Sequence, residues 1–424
     1  MKNTLLFAAM LLLCSCGGDS NDTPVSPKPD KPNGGTSPVV ENITTKADVD
    51  NVMAQIEKQL VYAMSYTDTE AAKGKTKDGR PLVSPRSLET DGTLRLVNWR
   101  DWCSGFFPGI LWQVYKYTGK QNWRTAADKY TWQVEDMKNC TETHDVGFVI
   151  HNSFGKAYEA TGEEKYKNVL ITAANSLIKR YNDKVKAIRS WDHNANKWKY
   201  PVVIDNMMNL ELLFEASKLT GDNKYYNIAV NHANTTMANH FRSDYSCYHV
   251  VSYDPTPGEV EKKNTHQGYS DESVWSRGHA WAIYGYTMCY RYTKDNAYLQ
   301  QAKNVVQFWF SQKDMPKDMI PYWDMCAQDI PNAPRDASAA AAIASALYEL
   351  STYVSGTEAQ SYVEKADAIL NSLYKSYSSK VGYNQGFLLL HSTGNYPSND
   401  EIDRPIIYAD YYYVEALARK AAMK

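Results

Sequence analysis

Residues 275–281 are Trp-Ser-Arg-Gly-His-Ala-Trp, a polar and aromatic segment that leads into an apolar helix ending at the turn Thr293-Lys294. The same arrangement occurs five times: an entry segment rich in acids, Trp and Gly, then a helix, then a short turn. Each helix is about four turns long at 3.6 residues per turn. The entry segments and their closing turns are 102–107 with 118–119, 144–148 with 161–162, 204–209 with 220–221, 275–281 with 293–294, and 335–338 with 355–356.

An amphipathic stretch that starts with Tyr follows four of these turns, with apolar residues at three- and four-residue spacing. These stretches are 166–177, 225–238, 298–310 and 362–373. An opening helix over 47–66 and the segment after Pro405 complete a sixth pair. Such repeats predict an all-α fold, an (α/α)6 barrel of six helical hairpins, with an open solenoid as the alternative. Residues 245–253 alternate weakly and predict a short hairpin in a loop.

If the inner helices run parallel, every entry segment lies on the same face of the barrel. That face would gather Asp145, Asp205 and Arg277. An Asp at a helix start often caps the helix, and capping is the alternative for both carboxylates. Their apolar flanking residues favour instead a desolvated carboxyl with a raised pKa, as general acid catalysis at neutral pH requires. Arg277 would clamp a carboxylate through two parallel hydrogen bonds or, alternatively, form an internal salt bridge with Asp145 or Asp336.

Aromatic and polar side chains around the same mouth are candidates for substrate contacts. Tryptophans can stack on sugar rings, although core packing is favoured for Trp275. Histidine and glutamine can donate hydrogen bonds to hydroxyl groups, although a lone histidine is more often structural. Two carboxylates, one guanidinium and stacking aromatics predict a pocket for an acidic sugar. The candidates are Trp102, Trp191, Trp281, His144, His249, His266 and Gln267.

Charge and cysteine usage exclude several classes of function. The formal net charge of −2 provides no basic field for nucleic acid, so no nucleic-acid partner is expected. Seven widely scattered cysteines argue against a disulfide framework. No CxxC or His-x-x-x-His spacing occurs, and we expect neither a metal site nor a cofactor.

The N-terminal segment is typical of bacterial export. A short apolar run after Lys2 ends at Leu13-Cys14-Ser15-Cys16, which resembles a lipobox. This predicts a signal peptide over 1–16 with lipidation at Cys16; an ordinary cleaved signal peptide is the alternative. Composition predicts a flexible linker over 17–42, followed by a single catalytic barrel domain over 43–424. We expect an exported lipoprotein of the cell envelope, periplasmic or outer-membrane-anchored, that contacts the membrane only through its lipid anchor.

Several motifs, taken in order and spacing, resemble the unsaturated glucuronyl hydrolases, glycoside hydrolase family 88. The resemblance runs from about residue 95 to the C-terminus. The motifs are Trp-Cys-Ser-Gly-Phe-Phe-Pro-Gly at 102–109, His-Asp-Val-Gly-Phe at 144–148, Ile-Asp-Asn-Met-Met-Asn-Leu at 204–210, His-Gln-Gly-Tyr-Ser-Asp-Glu-Ser-Val-Trp-Ser-Arg-Gly-His-Ala-Trp at 266–281, and Arg-Asp-Ala-Ser-Ala at 335–339.

The resemblance implies the (α/α)6 fold and a specific glycosidase chemistry. Such enzymes remove the terminal 4,5-unsaturated uronic acid from lyase-generated glycosaminoglycan oligosaccharides by hydrating its C4=C5 enol ether. By this resemblance Asp205 is the acid/base, and Asp145 orients the substrate and supports Asp205. It also implies substrate contacts from Trp102, His144, Trp191, His249, Gln267, Arg277 and Trp281.

Two segments depart from the family pattern. His279 stands where many members have Gln, and residues 391–397 differ from a Ser- and Lys-bearing loop that some members use for sulfate. Chondroitin, dermatan, hyaluronan, heparin and heparan fragments therefore all remain candidate substrates. The alternative functions are an unsaturated rhamnogalacturonyl hydrolase acting on pectin fragments, an inverting glycosidase acting on intact glycans, and a non-catalytic surface glycan-binding lipoprotein.

Overall fold

Twelve main helices account for most of the residues that the computed structural model describes, which are 40–423. The predicted signal peptide, Cys16 and most of the 17–42 linker lie outside the described residues. In chain order the helices are α1 (Lys46–Ala71), α2 (Phe106–Thr118), α3 (Gln121–Trp132), α4 (Val146–Ile150, a π-helical turn at His151–Gly155, then Lys156–Thr161), α5 (Glu164–Ile178), α6 (Asn206–Thr220), α7 (Asn223–Asn239), α8 (Ser276–Thr293), α9 (Asn296–Phe310), α10 (Ala337–Ser351), α11 (Gly356–Ser372) and α12 (Ile407–Ala422).

Alternate helices form two concentric layers. The even-numbered helices form the inner layer, in which each helix packs against the next and α12 packs against α2. The odd-numbered helices lie outside them; α3, α7, α9 and α11, for example, each pack against the inner helix that precedes them. Because the inner ring closes, the open solenoid is wrong and the predicted (α/α)6 barrel is confirmed. No helix within residues 40–423 is long and apolar enough to cross a membrane.

Inner helices run parallel, as contacts at both ends of the barrel show. Near the N-terminal ends of α8 and α10, Arg277 pairs with Asp336. At their C-terminal ends, Arg291 pairs with Glu349. All the entry segments therefore open on one face, called here the catalytic mouth. The turns that end the inner helices face the opposite way.

Left-handed residues terminate most of the inner helices. Gly119, Gly162 and Gly221 follow α2, α4 and α6 with φ of 70°, 68° and 73°, a conformation that glycine adopts without strain. Lys294 has the same role after α8, with φ of 57°. The prediction that α10 ends at Ser355-Gly356 is wrong, because α10 ends at Ser351 and Gly356 begins α11.

Short strands lie in the loops of the described chain. They are β1 (Ser84–Leu88), β2 (Leu94–Val97), β3 (Tyr181–Asn182), β4 (Ala187–Ile188), β5 (Tyr200–Val203), β6 (Val250–Tyr253) and β7 (Val260–Asn264). The predicted loop hairpin is present but extends beyond residue 253, since 245–253 supplies only β6, which forms an antiparallel hairpin with β7 and also pairs with β5. The β5 partner lies about fifty residues upstream, beyond the reach of a local alternation pattern.

Candidate active site

Asp145 and Asp205 occupy the N-cap positions of α4 and α6, yet neither side chain caps its helix. Both residues have helical backbone angles, with φ of −66° and −55°. Asp336, which precedes α10, does cap, because its Oδ1 accepts a hydrogen bond from Ser338 N at 3.0 Å. Capping is therefore wrong for the two predicted carboxyls, and both remain available for other partners.

Burial in an apolar environment dominates the electrostatics of Asp205. Desolvation raises the pKa of Asp205 to about 7, while Arg277 acts to lower it and Asp145 acts to raise it further. Its Oδ2 atom is buried without a hydrogen bond, and His249 Nε2 lies 3.7 Å away. Such a carboxyl is still substantially protonated at neutral pH, which is the state required of a general acid.

His249 is held as a neutral donor directed at Asp205. Its Nδ1 accepts hydrogen bonds from the backbone N–H groups of His266 at 3.1 Å and Gln267 at 3.2 Å. The ring proton therefore resides on Nε2, the atom that faces Asp205. Burial lowers the pKa of His249 well below its usual value, so the ring stays uncharged. Its Nε2–H has no partner within the described residues.

Asp145 lies in a more polar setting than Asp205. Thr143 Oγ1 donates a hydrogen bond of 2.6 Å to its Oδ2, and His144 Nε2 lies 3.3 Å from its Oδ1. Desolvation raises the pKa of Asp145 to about 6, and the Thr143 hydroxyl limits that rise. Burial lowers the pKa of His144 to about 3, which leaves this ring neutral. Of the two carboxyls, Asp145 is thus the one that ionises first as the pH rises.

Replacing Thr143 with Val is expected to raise the pKa of Asp145, because the carboxylate loses a hydrogen bond that stabilises its charged form. The acid limb of the pH–activity profile should then move to higher pH, while activity at the optimum changes little. Thr141→Val, at the exposed neighbouring threonine, is the matched control. An acid limb that moves equally in both variants, or in neither, contradicts this role for Thr143.

Arg277 is almost completely buried and mostly occupied by protein acceptors. One of its terminal nitrogens donates to Asp336 Oδ2 at 2.7 Å and to the carbonyl of Thr393 at 2.6 Å. The other donates to the carbonyl of Gly394. The internal salt bridge considered from the sequence is therefore present, with Asp336 as the partner. The predicted contact between Arg277 and the substrate stays a prediction. Such a contact would use the guanidinium N–H groups that these acceptors do not occupy.

The remaining predicted residues lie on different parts of the mouth. Gln267 donates through Nε2 to the Gly394 carbonyl at 3.1 Å, the same oxygen that accepts from Arg277.

The three predicted tryptophans differ in burial. Trp102 and Trp191 are half-buried, whereas Trp281 is fully buried and packs against Phe148 at 5.6 Å between ring centroids. The indole N–H of Trp281 acts to lower the pKa of Asp205 without forming a hydrogen bond of normal geometry.

Sequence reasoning missed several residues at the mouth. His193 stacks on Trp191 with centroids 4.7 Å apart, and Tyr408 packs 4.7 Å from Trp102 with its hydroxyl buried and unpaired. No local signal could have marked Tyr408 or the carbonyls of Thr393 and Gly394, because they come from the far end of the chain.

His279 points away from the mouth, and its Nε2 lies 3.2 Å from the Val305 carbonyl. No group of His, Cys, Asp and Glu within residues 40–423 is arranged to hold a metal ion.

A closed helical barrel with two uncapped, half-buried carboxyls at one mouth has the acid and base groups that a glycoside hydrolase requires. Comparisons with known proteins agree with this class. The profile of Glycosyl Hydrolase Family 88 matches residues 84–416. An unsaturated glucuronyl hydrolase of Formosa agariphila is 51% identical over 339 residues, covering 79% of this chain and 84% of the relative. An unsaturated chondroitin disaccharide hydrolase of Streptococcus pneumoniae is 31% identical over 382 residues, covering 89% and 93%.

Solved structures match in the same way. The crystal structure of an unsaturated glucuronyl hydrolase specific for heparin superimposes with a TM-score of 0.81 at 44% identity, covering 87% of this chain and 96% of that one. The chain therefore belongs to Glycosyl Hydrolase Family 88, as the motifs predicted, and is an enzyme of the unsaturated glucuronyl hydrolase class.

Proposed function

We propose that this enzyme removes the terminal 4,5-unsaturated uronic acid from lyase-generated glycosaminoglycan oligosaccharides. The observation that carries the proposal is the pair of carboxyls at the starts of α4 and α6, both uncapped and both with raised pKa values. The names of relatives support the substrate class, since one is a chondroitin disaccharide hydrolase and another structure is specific for heparin. An unsaturated rhamnogalacturonyl hydrolase acting on pectin fragments is the second candidate.

The proposed reaction begins with proton transfer to carbon. Protonated Asp205 donates its proton to C4 of the enol ether, and a water molecule adds its oxygen at C5. The proton lost by that water returns to Asp205, which restores the acid. The resulting hemiketal opens, and the bond to the leaving sugar breaks. Asp145 is ionised in this scheme, and its negative charge supports the protonated form of Asp205.

Ring orientation is the other requirement of this chemistry. Half-buried Trp102 and Trp191 supply stacking faces, and the neutral His249 supplies an N–H beside the acid. Holding the reacting carbon near the carboxyl converts proton transfer into an effectively unimolecular step. The carboxylate-separation rule for retaining and inverting glycosidases does not apply, because the acid acts at C4 rather than at the anomeric centre.

The test follows the ultraviolet absorbance of the conjugated C4=C5 uronate while purified enzyme acts on lyase digests. Chondroitin, hyaluronan, heparin and pectin digests are run side by side. Loss of absorbance on any of the first three supports the proposal and ranks the substrates. Loss confined to the pectin digest would transfer the enzyme to the rhamnogalacturonyl reaction. Binding without absorbance loss on any digest would overturn catalysis altogether.

A bell-shaped pH dependence is expected for kcat. Asp205 must be protonated to act, so activity should fall as the pH rises through its pKa of about 7. Asp145 must be ionised, so activity should fall as the pH drops through its pKa of about 6. The optimum lies between these values, and the two limbs report the coupled pair. Activity that persists undiminished well above pH 7 contradicts the assignment of Asp205 as the acid.

Envelope localisation is part of the same proposal and rests on the Leu13-Cys14-Ser15-Cys16 motif. Lipidation of Cys16 would tether the barrel to a membrane surface through acyl chains alone. Metabolic labelling with a fatty-acid analogue, followed by membrane fractionation, is the test. Wild-type protein should carry label and sediment with membranes, and Cys16→Ala should do neither. Label-free protein that is nonetheless exported would support an ordinary signal peptide.

A further inference from the structure

A large cavity among the described residues lies at the end of the barrel opposite the catalytic mouth. It has a volume of about 990 Å³ and is lined by residues from the later turns of all six inner helices. We call it the C-terminal mouth, because the inner helices end there. A cavity of this size accommodates a ligand of several sugar rings or a similar small molecule. None of the residues predicted for the reaction lines it.

Ion pairs connect the inner helices around the C-terminal mouth. Arg291 of α8 binds Glu211 of α6 and, at 2.6 Å, Glu349 of α10. Arg419 of α12 then binds the same Glu349 at 2.8 Å and lies 3.7 Å from Glu415. Every pair is at least partly buried. These contacts hold four adjacent inner helices in a fixed arrangement around the cavity.

Helix α4 closes this set of contacts into a ring. Its Lys156 lies 3.6 Å from Glu415 of α12, and its His151 lies 3.6 Å from Glu211 of α6. The ring thus joins three cations, namely Arg291, Arg419 and Lys156, to three carboxylates, namely Glu211, Glu349 and Glu415, and their charges cancel. The C-terminal ends of six helices add partial negative charge. The cavity lining also includes Lys116 and Lys218 with Glu159 and Glu215, so five cations face five carboxylates in all. This mouth therefore has no surplus cation for an acidic sugar, in contrast to the acidic sugar predicted for the catalytic mouth.

The amide of Gln113 has no partner at the wall of the cavity. Its side chain is 8% exposed, and neither its Oε1 nor its Nε2 forms a hydrogen bond within the described residues. A long hydrogen bond from the Gln113 amide to the Tyr411 hydroxyl, outside normal geometry, acts to lower the pKa of Tyr411, whose own proton is donated to Asn152 Oδ1 at 3.1 Å. A buried amide with no hydrogen bond of normal geometry at either end matches a ligand that offers a donor and an acceptor together, as adjacent sugar hydroxyls do.

Aromatic side chains form other parts of the wall. Tyr158 and Tyr292 are half-buried and line the cavity. Tyrosine rings present an apolar face of the kind on which sugar rings pack. Balanced charges, aromatic walls and a free amide describe a site for a neutral polyhydroxylated ligand rather than for an ion.

A layer of aromatic side chains lies between the two mouths. Phe106 and Phe148 pack at 5.6 Å, Phe148 and Trp281 at 5.6 Å, and Trp281 and Tyr412 at 5.4 Å. Tyr412 also contacts Phe106 at 6.1 Å, which closes the layer. These residues belong to the first two turns of their helices, whereas Gln113 lies two turns into α2. The C-terminal mouth is therefore a separate chamber and not an extension of the catalytic one.

We infer that the C-terminal mouth is a second binding site, which takes a neutral saccharide through the free Gln113 amide and the tyrosine walls. The site is independent of the uronate chemistry at the other mouth.

Isothermal titration of the purified enzyme with N,N′-diacetylchitobiose, a neutral disaccharide, is the test. Two variants alter the C-terminal mouth: Gln113→Met removes the amide at similar volume, and Tyr158→Ala removes one wall. Trp102→Ala alters the catalytic mouth instead and identifies any binding there. Wild-type enzyme should bind with millimolar or tighter affinity. Gln113→Met and Tyr158→Ala should each weaken binding about tenfold, and Trp102→Ala should leave it unchanged.

Turnover of the unsaturated substrate by Gln113→Met should equal that of wild type, which shows that the variant is folded and that the sites are separate. Absence of binding by wild type overturns the inference. Binding that is lost in Trp102→Ala but kept in Gln113→Met also overturns it, because the disaccharide would then occupy only the catalytic mouth. If Gln113→Met does not fold, the Tyr158→Ala comparison decides between the same outcomes.

Discussion

Replacing Asp205 with Asn is expected to lower kcat by about 10²–10⁴-fold, the range that general acid–base groups contribute, while substrate binding is retained. The amide keeps the shape of the side chain but cannot release a proton to carbon. Because Asp205 does not cap α6, the substitution costs the helix no capping hydrogen bond, and stability should change little. Removing a half-buried carboxyl with a raised pKa should stabilise the barrel at high pH, where the wild-type group must be charged.

Absorbance loss on the best digest gives kcat, and equilibrium binding of the same substrate to the inactive variant gives affinity. The matched control is Asp295→Asn, which alters an Asp at the N-cap of the outer helix α9, where the side chain does cap. That variant should keep full activity. Asp205→Asn with wild-type kcat would refute the mechanism, and loss of binding together with activity would make Asp205 a binding residue instead.

Replacing Arg277 with Met is expected to destabilise the fold by about 3–5 kcal/mol, the cost of leaving one partner of a buried ion pair unpaired. Arg277 is 1% exposed and its partner Asp336 is fully buried, so solvent cannot replace the lost contact. The Thr393 and Gly394 carbonyls also lose their donor. The same change should raise the pKa of Asp205, since Arg277 acts to lower it, and should move the basic limb of the activity profile to higher pH.

Denaturant unfolding measures the stability change, and pH profiles of the folded variant measure the shift. Arg335→Met is the matched control, because Arg335 pairs with Asp318 in a partly exposed bridge whose loss costs about 1 kcal/mol or less. Combining Arg277→Met with Asp336→Asn should recover part of the stability, since neither charge is then buried alone. A stability loss equal to that of the control would show that the Arg277–Asp336 pair contributes nothing special.

Local pattern was sufficient to predict most of the helical framework. The outer stretches predicted at 166–177, 225–238 and 298–310 lie within α5, α7 and α9. The predicted opening helix lies within α1. These elements follow from hydrophobic spacing and from glycines that end helices, and both are properties of neighbouring residues. The end of α10 was wrong because Ser355-Gly356 resembles the other turns but starts the next helix.

Proximity of the two carboxyls could also be predicted, because a barrel of parallel inner helices brings every entry segment to one mouth. The protonation states and hydrogen-bond partners of these carboxyls could not be predicted from the sequence. Whether an Asp at an N-cap position caps its helix depends on how the loop before it is held, and Asp336 caps where Asp145 and Asp205 do not. Likewise, the neutral Nε2–H form of His249 results from backbone N–H groups that a separate loop supplies.

The sequence by itself determined the repeating helical unit, the number of hairpins, the family and the two carboxyls that meet at the catalytic mouth. These depend on periodicity, on turn residues and on motifs, all of which are contiguous in the chain. Only the tertiary structure decided the backbone carbonyls that bind Arg277 from more than a hundred residues away, the raised pKa values and the cavity at the opposite mouth. Burial and electrostatic potential are sums over residues that folding brings together, and no local stretch contains them.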